Sequence, residues 1–288
     1  MEHLHQFLTN DWAVRRSDLS GALGVVAAAL AAGNINAIES QLSRSALLYS
    51  ACQAPNYVDQ WDINDLNLPE NSVAVIRMRG MLYAWETDNL IHALERIEAN
   101  PCIVGVVLDI NGPGGHVTRV DEAAALIRNF SKPVATFVAG DMCSAHFWIG
   151  TSAERTFVCS NISTVGSVGS MTEYLSLRKY LEAQGIKVWE IYPDNSDLKN
   201  EGVRALEDRE DDAVIKQRLA EISQLFGNDV ALNLGIKYDP AMELFRGKTF
   251  SAAAALAAGY IDQFGTLRDA ANWVLAQATS RQAALLYQ

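Results

Sequence analysis

The chain has 288 residues, 49% of them hydrophobic and 20% charged, enough to bury one sizeable core or two small ones. Its formal net charge of -11 repels a phosphate backbone and argues against non-specific nucleic-acid binding. The four cysteines, Cys52, Cys102, Cys143 and Cys159, have no metal-type spacing and read as free thiols; no metal or other cofactor is expected.

No apolar run reaches the ~18 residues that cross a bilayer. The weak run from Ala22 to Ala32 follows Arg15 and Arg16, but Glu2, Asp11 and Asp18 lie among the residues before it. It reads as a packing helix rather than a secretory leader, and the expected location is the cytoplasm.

Residues 1–70 are rich in Ala, Leu and Ser and are expected to form a helical N-terminal arm, with helical spacing up to Ala46, Leu47 and Leu48. The arm ends in a polar linker from Ala54 to Pro69. Residues 71–288 are expected to form the main domain. Val73 to Met78 reads as a strand stopped by Gly80. Leu90, Ala93, Leu94 and Ile97 share one face of a helix running from Thr87 to about Ala99.

Cys102 to Ile110 is almost unbroken in its apolarity, which suits a strand covered on both faces. A turn is expected at Asn111-Gly112-Pro113-Gly114-Gly115, then a helix carrying Val120, Ala123, Ala124 and Ile127. Strand Val134 to Val138 closes at Gly140-Asp141, and a helix starts near Ser144. Further expectations are strand Thr156 to Val158, helix Tyr174 to Ala183 and strand Lys187 to Tyr192. A long amphipathic segment, Leu206 to Leu234, and a helix from Leu267 to Ala276 complete the chain. This alternation predicts an α/β fold, a mostly parallel sheet flanked by helices.

Sites in such sheets form at the carboxyl ends of strands. Gly114 and Gly115 leave their backbone amides uncrowded, which suits an oxyanion hole and equally suits a tight turn. Ser144 begins a helix, where a serine serves either as a cap or as a nucleophile favoured by the unpaired amides around it. Cys143 is a rival nucleophile. A serine needs a base, yet no histidine follows His146, which excludes the order serine, acid, histidine. His146 lies two positions from Ser144 and would face away from it on a helix. Lys199, in the polar loop Pro193 to Gly202, reads on its own as a solvated charge.

Taken in order, these segments resemble the signal peptide peptidase A family and its bacteriophage head-maturation relatives. Ile110-Asn111-Gly112-Pro113-Gly114-Gly115 is similar to the family's Ile-Asn-Ser-Pro-Gly-Gly, with Gly112 in place of serine. Cys143-Ser144-Ala145-His146-Phe147-Trp148-Ile149 resembles Ala-Ser-Gly-Gly-Tyr-Trp-Ile, with Ala145 and His146 in place of two glycines. Thr164-Val165-Gly166-Ser167-Val168-Gly169 resembles the Thr-Gly-Ser-Ile-Gly turn, and Gly247 to Ser251 with Ala258 to Asp262 resembles the closing segment.

The resemblance implies a Clp-protease or crotonase-like fold of repeated β-β-α units and a cyclic homo-oligomer. It also implies a Ser-Lys peptidase acting on protein or peptide substrates through an acyl-enzyme. Ser144 would be the nucleophile, Lys199 the base and Ser167 the hydroxyl that orders the lysine. The amides of Gly115, Ala145 and Gly114 would form the oxyanion hole. The loop around Lys199 fits the pattern loosely, and Lys187 is the fallback. Capsid and scaffold proteins are the expected substrates. The alternatives are a soluble bacterial signal-peptide-peptidase-like enzyme, an acyl-CoA-binding crotonase relative and a catalytically dead ring-forming scaffold.

Overall fold

The structure, a computed structural model, describes residues 68–286 and the backbone of three short strands before them. These are β1 (Trp12–Val14), β2 (Leu48–Gln53) and β3 (Asn56–Val58). The remaining elements run β4 (Ser72–Leu82), α1 (Ala84–Ala99), β5 (Ile103–His116), α2 (Val120–Arg128), β6 (Val134–Cys143), α3 (Ala145–Gly150), β7 (Arg155–Val158) and β8 (Thr164–Gly166). After these come α4 (Arg178–Ala183), α5 (Glu201–Arg209), α6 (Ala213–Asn233), β9 (Thr249–Ser251), α7 (Ala252–Ala257), β10 (Gln263–Phe264) and α8 (Leu267–Leu286).

The centre of the sheet is parallel, in the order β10-β7-β6-β5-β4, and β2 and β3 add an antiparallel edge. Alternation along β4 explains its two covered faces. Ala74, Ile76 and Met78 join Leu90, Leu94 and Ile97 of α1, Val120 and Ile127 of α2, and Phe226 and Val230 of α6 in one core. Val73 and Val75 point the other way, toward a second core with Val107, Phe137, Phe157 and the α8 residues Ala270, Ala271 and Val274. The apolar run in β5 is therefore a strand buried on both sides, as its composition implies.

Several expectations change. β4 and β6 run past the stops expected at Gly80 and Gly140-Asp141, to Leu82 and Cys143. The glycine run is not a turn, because β5 continues through Gly112, Pro113, Gly114 and Gly115 to His116. Leu48, expected in a helical arm, begins β2, which pairs with β4 from Leu48↔Arg77 to Cys52↔Val73. The rest of the expected arm and linker lies outside the described residues. Lys187 to Tyr192 is not a strand; it has no regular structure, and Val188, Trp189 and Ile191 are exposed. The long amphipathic segment is two helices, since Glu210 takes the left-handed conformation (φ 55°) and ends α5 before α6 begins.

Candidate active site

Strand β6 delivers Ser144 to the end of the sheet. Met142 and Cys143 pair with Val165 and Gly166 of β8, and the Ser144 N–H donates to the Gly166 carbonyl at 2.7 Å. The chain then turns into α3, whose Trp148 N–H donates back to the Ser144 carbonyl at 2.9 Å. Between these two bonds Ser144 takes φ 54° and ψ -121°, a backbone state costing about 1–3 kcal/mol for a non-glycine residue. Such strain persists only where the surroundings over-determine it. Here α3 is clamped from above: Trp148 stacks on Phe226 of α6 with ring centroids 4.5 Å apart, and its Nε1–H donates to Asp229 at 2.9 Å.

The strained turn has a chemical consequence. Ser144 occupies the cap position of α3 without capping it. Its Oγ is buried and makes no hydrogen bond, although a buried hydroxyl ordinarily finds a partner. The cap role that would explain a serine at a helix start is absent. What remains is an oriented, unengaged hydroxyl.

The glycines of β5 lie alongside. Gly112 pairs with Met142, two residues before Ser144. A Cβ on Gly112 would sit 2.3 Å from the Gly80 carbonyl and 2.5 Å from His146 Cε1, so the serine of the family pattern has no room here. His146 is fully buried, and its Nδ1 accepts the Gly114 N–H at 3.0 Å. Burial, with Arg79 nearby, pushes the His146 pKa down to about 3. The ring is therefore neutral, with Nδ1 free to accept. As expected, His146 does not serve Ser144; it holds the glycine strand instead. The Gly114 amide is thus engaged and unavailable to an oxyanion in this arrangement. Ala145, the first residue of α3, has by position no intrahelical acceptor for its N–H.

Polar cross-ties fix the strand ends. Arg79 binds the Asp109 carbonyl and carboxylate at 2.5 Å each. Asn111 Oδ1 accepts the Asp141 N–H at 3.0 Å, and Asp141 Oδ1 accepts the Thr164 N–H at 3.1 Å. These ties and His146 were not legible in advance as site-builders, because each partner is ~20–30 residues away and no local spacing marks the pair.

Ser167 is brought close: it follows Gly166, whose carbonyl holds Ser144, and it too has a left-handed φ of 59°. Its N–H donates to the Lys248 carbonyl at 2.8 Å. Lys199 is not brought in. It is exposed in the turn before α5, with its backbone N–H on the Ser196 carbonyl at 3.1 Å. Lys187 is exposed as well. Cys143 is buried with its thiol toward the Thr164 carbonyl, 3.6 Å away. Among the described residues no cluster of three or more His, Cys, Asp or Glu could hold a metal, and no helix is long and apolar enough to cross a membrane.

A strained serine at a strand-to-helix turn presents its hydroxyl at the end of the sheet, as the nucleophile elbow of other hydrolases does, although no histidine follows it here. The chain belongs to peptidase family S49, whose family model matches residues 127–281. Over 210 residues it is 28% identical to the head-tail preconnector protein GP5 of Enterobacteria phage P21, covering 70% of this chain and 41% of that protein. It is also 28% identical over 211 residues to the capsid assembly protease C of Escherichia phage lambda, covering 70% and 47%. The chain thus spans less than half the length of these two relatives. A peptidase structure from Plasmodium falciparum matches with a TM-score of 0.45 and 14% identity, over 67% of this chain and 95% of that one.

Proposed function

We propose that the chain is a serine endopeptidase in which Ser144 attacks the substrate carbonyl and Lys199 takes its proton. The observation that carries this reading is the buried Ser144 hydroxyl, held in a strained backbone and bonded to nothing. The Ala145 and Gly115 amides hold the developing oxyanion, Ser167 orders the lysine, and water resolves the acyl-enzyme. Capsid and scaffold proteins are the proposed substrates, in keeping with the phage relatives.

A lysine acts as a base only when desolvated, and Lys199 is exposed in the single chain. The same segment exposes Leu175, Leu177, Tyr180, Trp189, Ile191 and Leu198, an apolar load that a lone globular chain does not leave in water. In the proposed homo-oligomer a second copy covers this segment, and the cover brings Lys199 to a Ser144.

Incubating the full-length chain with a capsid or scaffold protein encoded beside it, and mapping fragments by mass spectrometry, tests the reading. Wild type is expected to cut, Ser144→Ala to be inert and Lys199→Ala to be slower by ~10²–10⁴. Cutting by Ser144→Ala at the wild-type rate would overturn it.

A further inference from the structure

Strand β5 carries different neighbours along its two edges. On one edge β4 continues past the site, with Met81↔Gly114 and Leu82↔Gly115. On the other, β6 pairs as far as Gly112↔Met142 and then leaves the sheet at the Ser144 turn. Beyond that point the edge of β5 is not left open. Strand β1 takes it antiparallel, with Trp12↔His116, Ala13↔Gly115 and Val14↔Gly114. Since β4 already holds the far edge at Gly114 and Gly115, β1 lies on the edge that β6 vacates, next to the nucleophile turn. Its chain direction runs from His116 toward Gly112 and Ser144.

An unpaired strand edge at this place is a template for any extended chain, because main-chain hydrogen bonds supply the affinity. A peptide lying there would bring its backbone past Ser144. We infer that residues 12–14 occupy the peptide-binding edge of the active site and act as a built-in competitor that substrate must displace. This rests on the peptidase reading of Ser144, but the strand exchange itself does not.

Two features fit a displaceable strand. Among the described residues β1 pairs over three positions, whereas β2, the next described element, is separately fixed to β4 over five residue pairs. Release of β1 therefore leaves the main sheet intact. In addition, the glycines at Gly114 and Gly115 present no side chain to the incoming strand, so this edge accepts a backbone with little regard to sequence.

The test uses the full chain and the double variant Ala13→Pro/Val14→Pro; successive N–H groups point to opposite edges, so the pair removes whichever of the two donors faces β5. Hydrogen exchange at whichever of Gly115 and His116 directs its N–H to the β1 edge is expected to be faster in the variant than in wild type. A synthetic peptide of residues 8–20 is expected to restore protection in the variant. With an extended peptide substrate, kcat/KM is expected to rise about tenfold, since occupancy of the edge scales down the competent fraction, and the residue 8–20 peptide is expected to inhibit competitively. Equal exchange at Gly115 and His116 in both proteins, or no effect of the added peptide on the variant, would overturn the inference. If neither protein cleaves any peptide, the peptidase reading falls while the exchange data still decide the occupancy of the edge.

Discussion

His146 Nδ1 accepts the Gly114 N–H at 3.0 Å, and the same ring fills the space beside Gly112 where a Cβ would otherwise stand. A buried histidine thus sets the position of the glycine strand against the Ser144 turn, and two of the three departures from the family motif, Gly112 and His146, are one packing solution. Removing the acceptor would leave a buried amide unpaired, at a cost of about 1–3 kcal/mol. His146→Leu is expected to lower kcat at least tenfold with a smaller change in KM. His146→Asn, whose Oδ1 can accept the same N–H, is expected to recover part of the loss. Steady-state kinetics on a peptide substrate, with thermal melts as the control for folding, check this.

The strain at Ser144 makes function and stability separable. Ser144→Ala loses a hydroxyl that bonds to nothing and is expected to melt within a degree or two of wild type while losing all turnover. Ser144→Gly is also inactive but relieves the positive φ of 54°, and is expected to gain about 1–2 kcal/mol. Denaturant unfolding of the three proteins measures the order. A Ser144→Gly chain no more stable than wild type would show that the turn is not strained.

Acid sensitivity follows from two buried histidines. Burial lowers His116 to about 4, and burial together with Arg79 lowers His146 to about 3, both from 6.5. Between those values and 6.5 the unfolded chain binds more protons than the folded one, so stability falls as the pH drops through that window. Above 6.5 both forms are neutral and the contribution is flat. The loss approaches ~1.4 kcal/mol per pH unit for each histidine. Unfolding free energies measured from pH 7 to pH 4 should show this slope, and His146→Asn should reduce it.

Lys199 tests the assembled site. Because its side chain is exposed in the single chain, Lys199→Ala is expected to leave the melting temperature of the isolated chain unchanged while reducing kcat. Lys199→Arg keeps the charge but cannot act as a neutral base, and is expected to be equally impaired. If the proposed oligomer completes the site, specific activity falls on dilution in step with its dissociation, read by analytical ultracentrifugation alongside the assay. Full activity of Lys199→Ala would assign the base elsewhere.

Much of this was legible from local pattern. The doubly buried strands β4, β5 and β6 announced themselves through apolar runs, and α1 and α2 through the spacing of Leu90, Leu94, Ile97, Val120, Ala124 and Ile127. The motif around Ser144 marked its turn. Pairings between distant residues were not legible. Gly112 to Gly115 looked like a turn because glycine and proline interrupt regular structure, yet β4 continues alongside and keeps them in β5. Lys187 to Tyr192 has strand-like alternation but finds no strand neighbour among the described residues, and Val188, Trp189 and Ile191 are exposed. The hydrogen bond from the Gly114 N–H to His146 links residues 32 positions apart and leaves no trace in spacing.

Reaction of the full-length chain with a fluorophosphonate, followed by intact mass and peptide mapping, asks directly whether the unbonded hydroxyl is the nucleophile. A single adduct on Ser144, absent from Ser144→Ala and slowed in Lys199→Ala, is the expected result. A chain that stays unlabelled under conditions where it cleaves peptide, or that carries the adduct on another residue, would contradict the assignment.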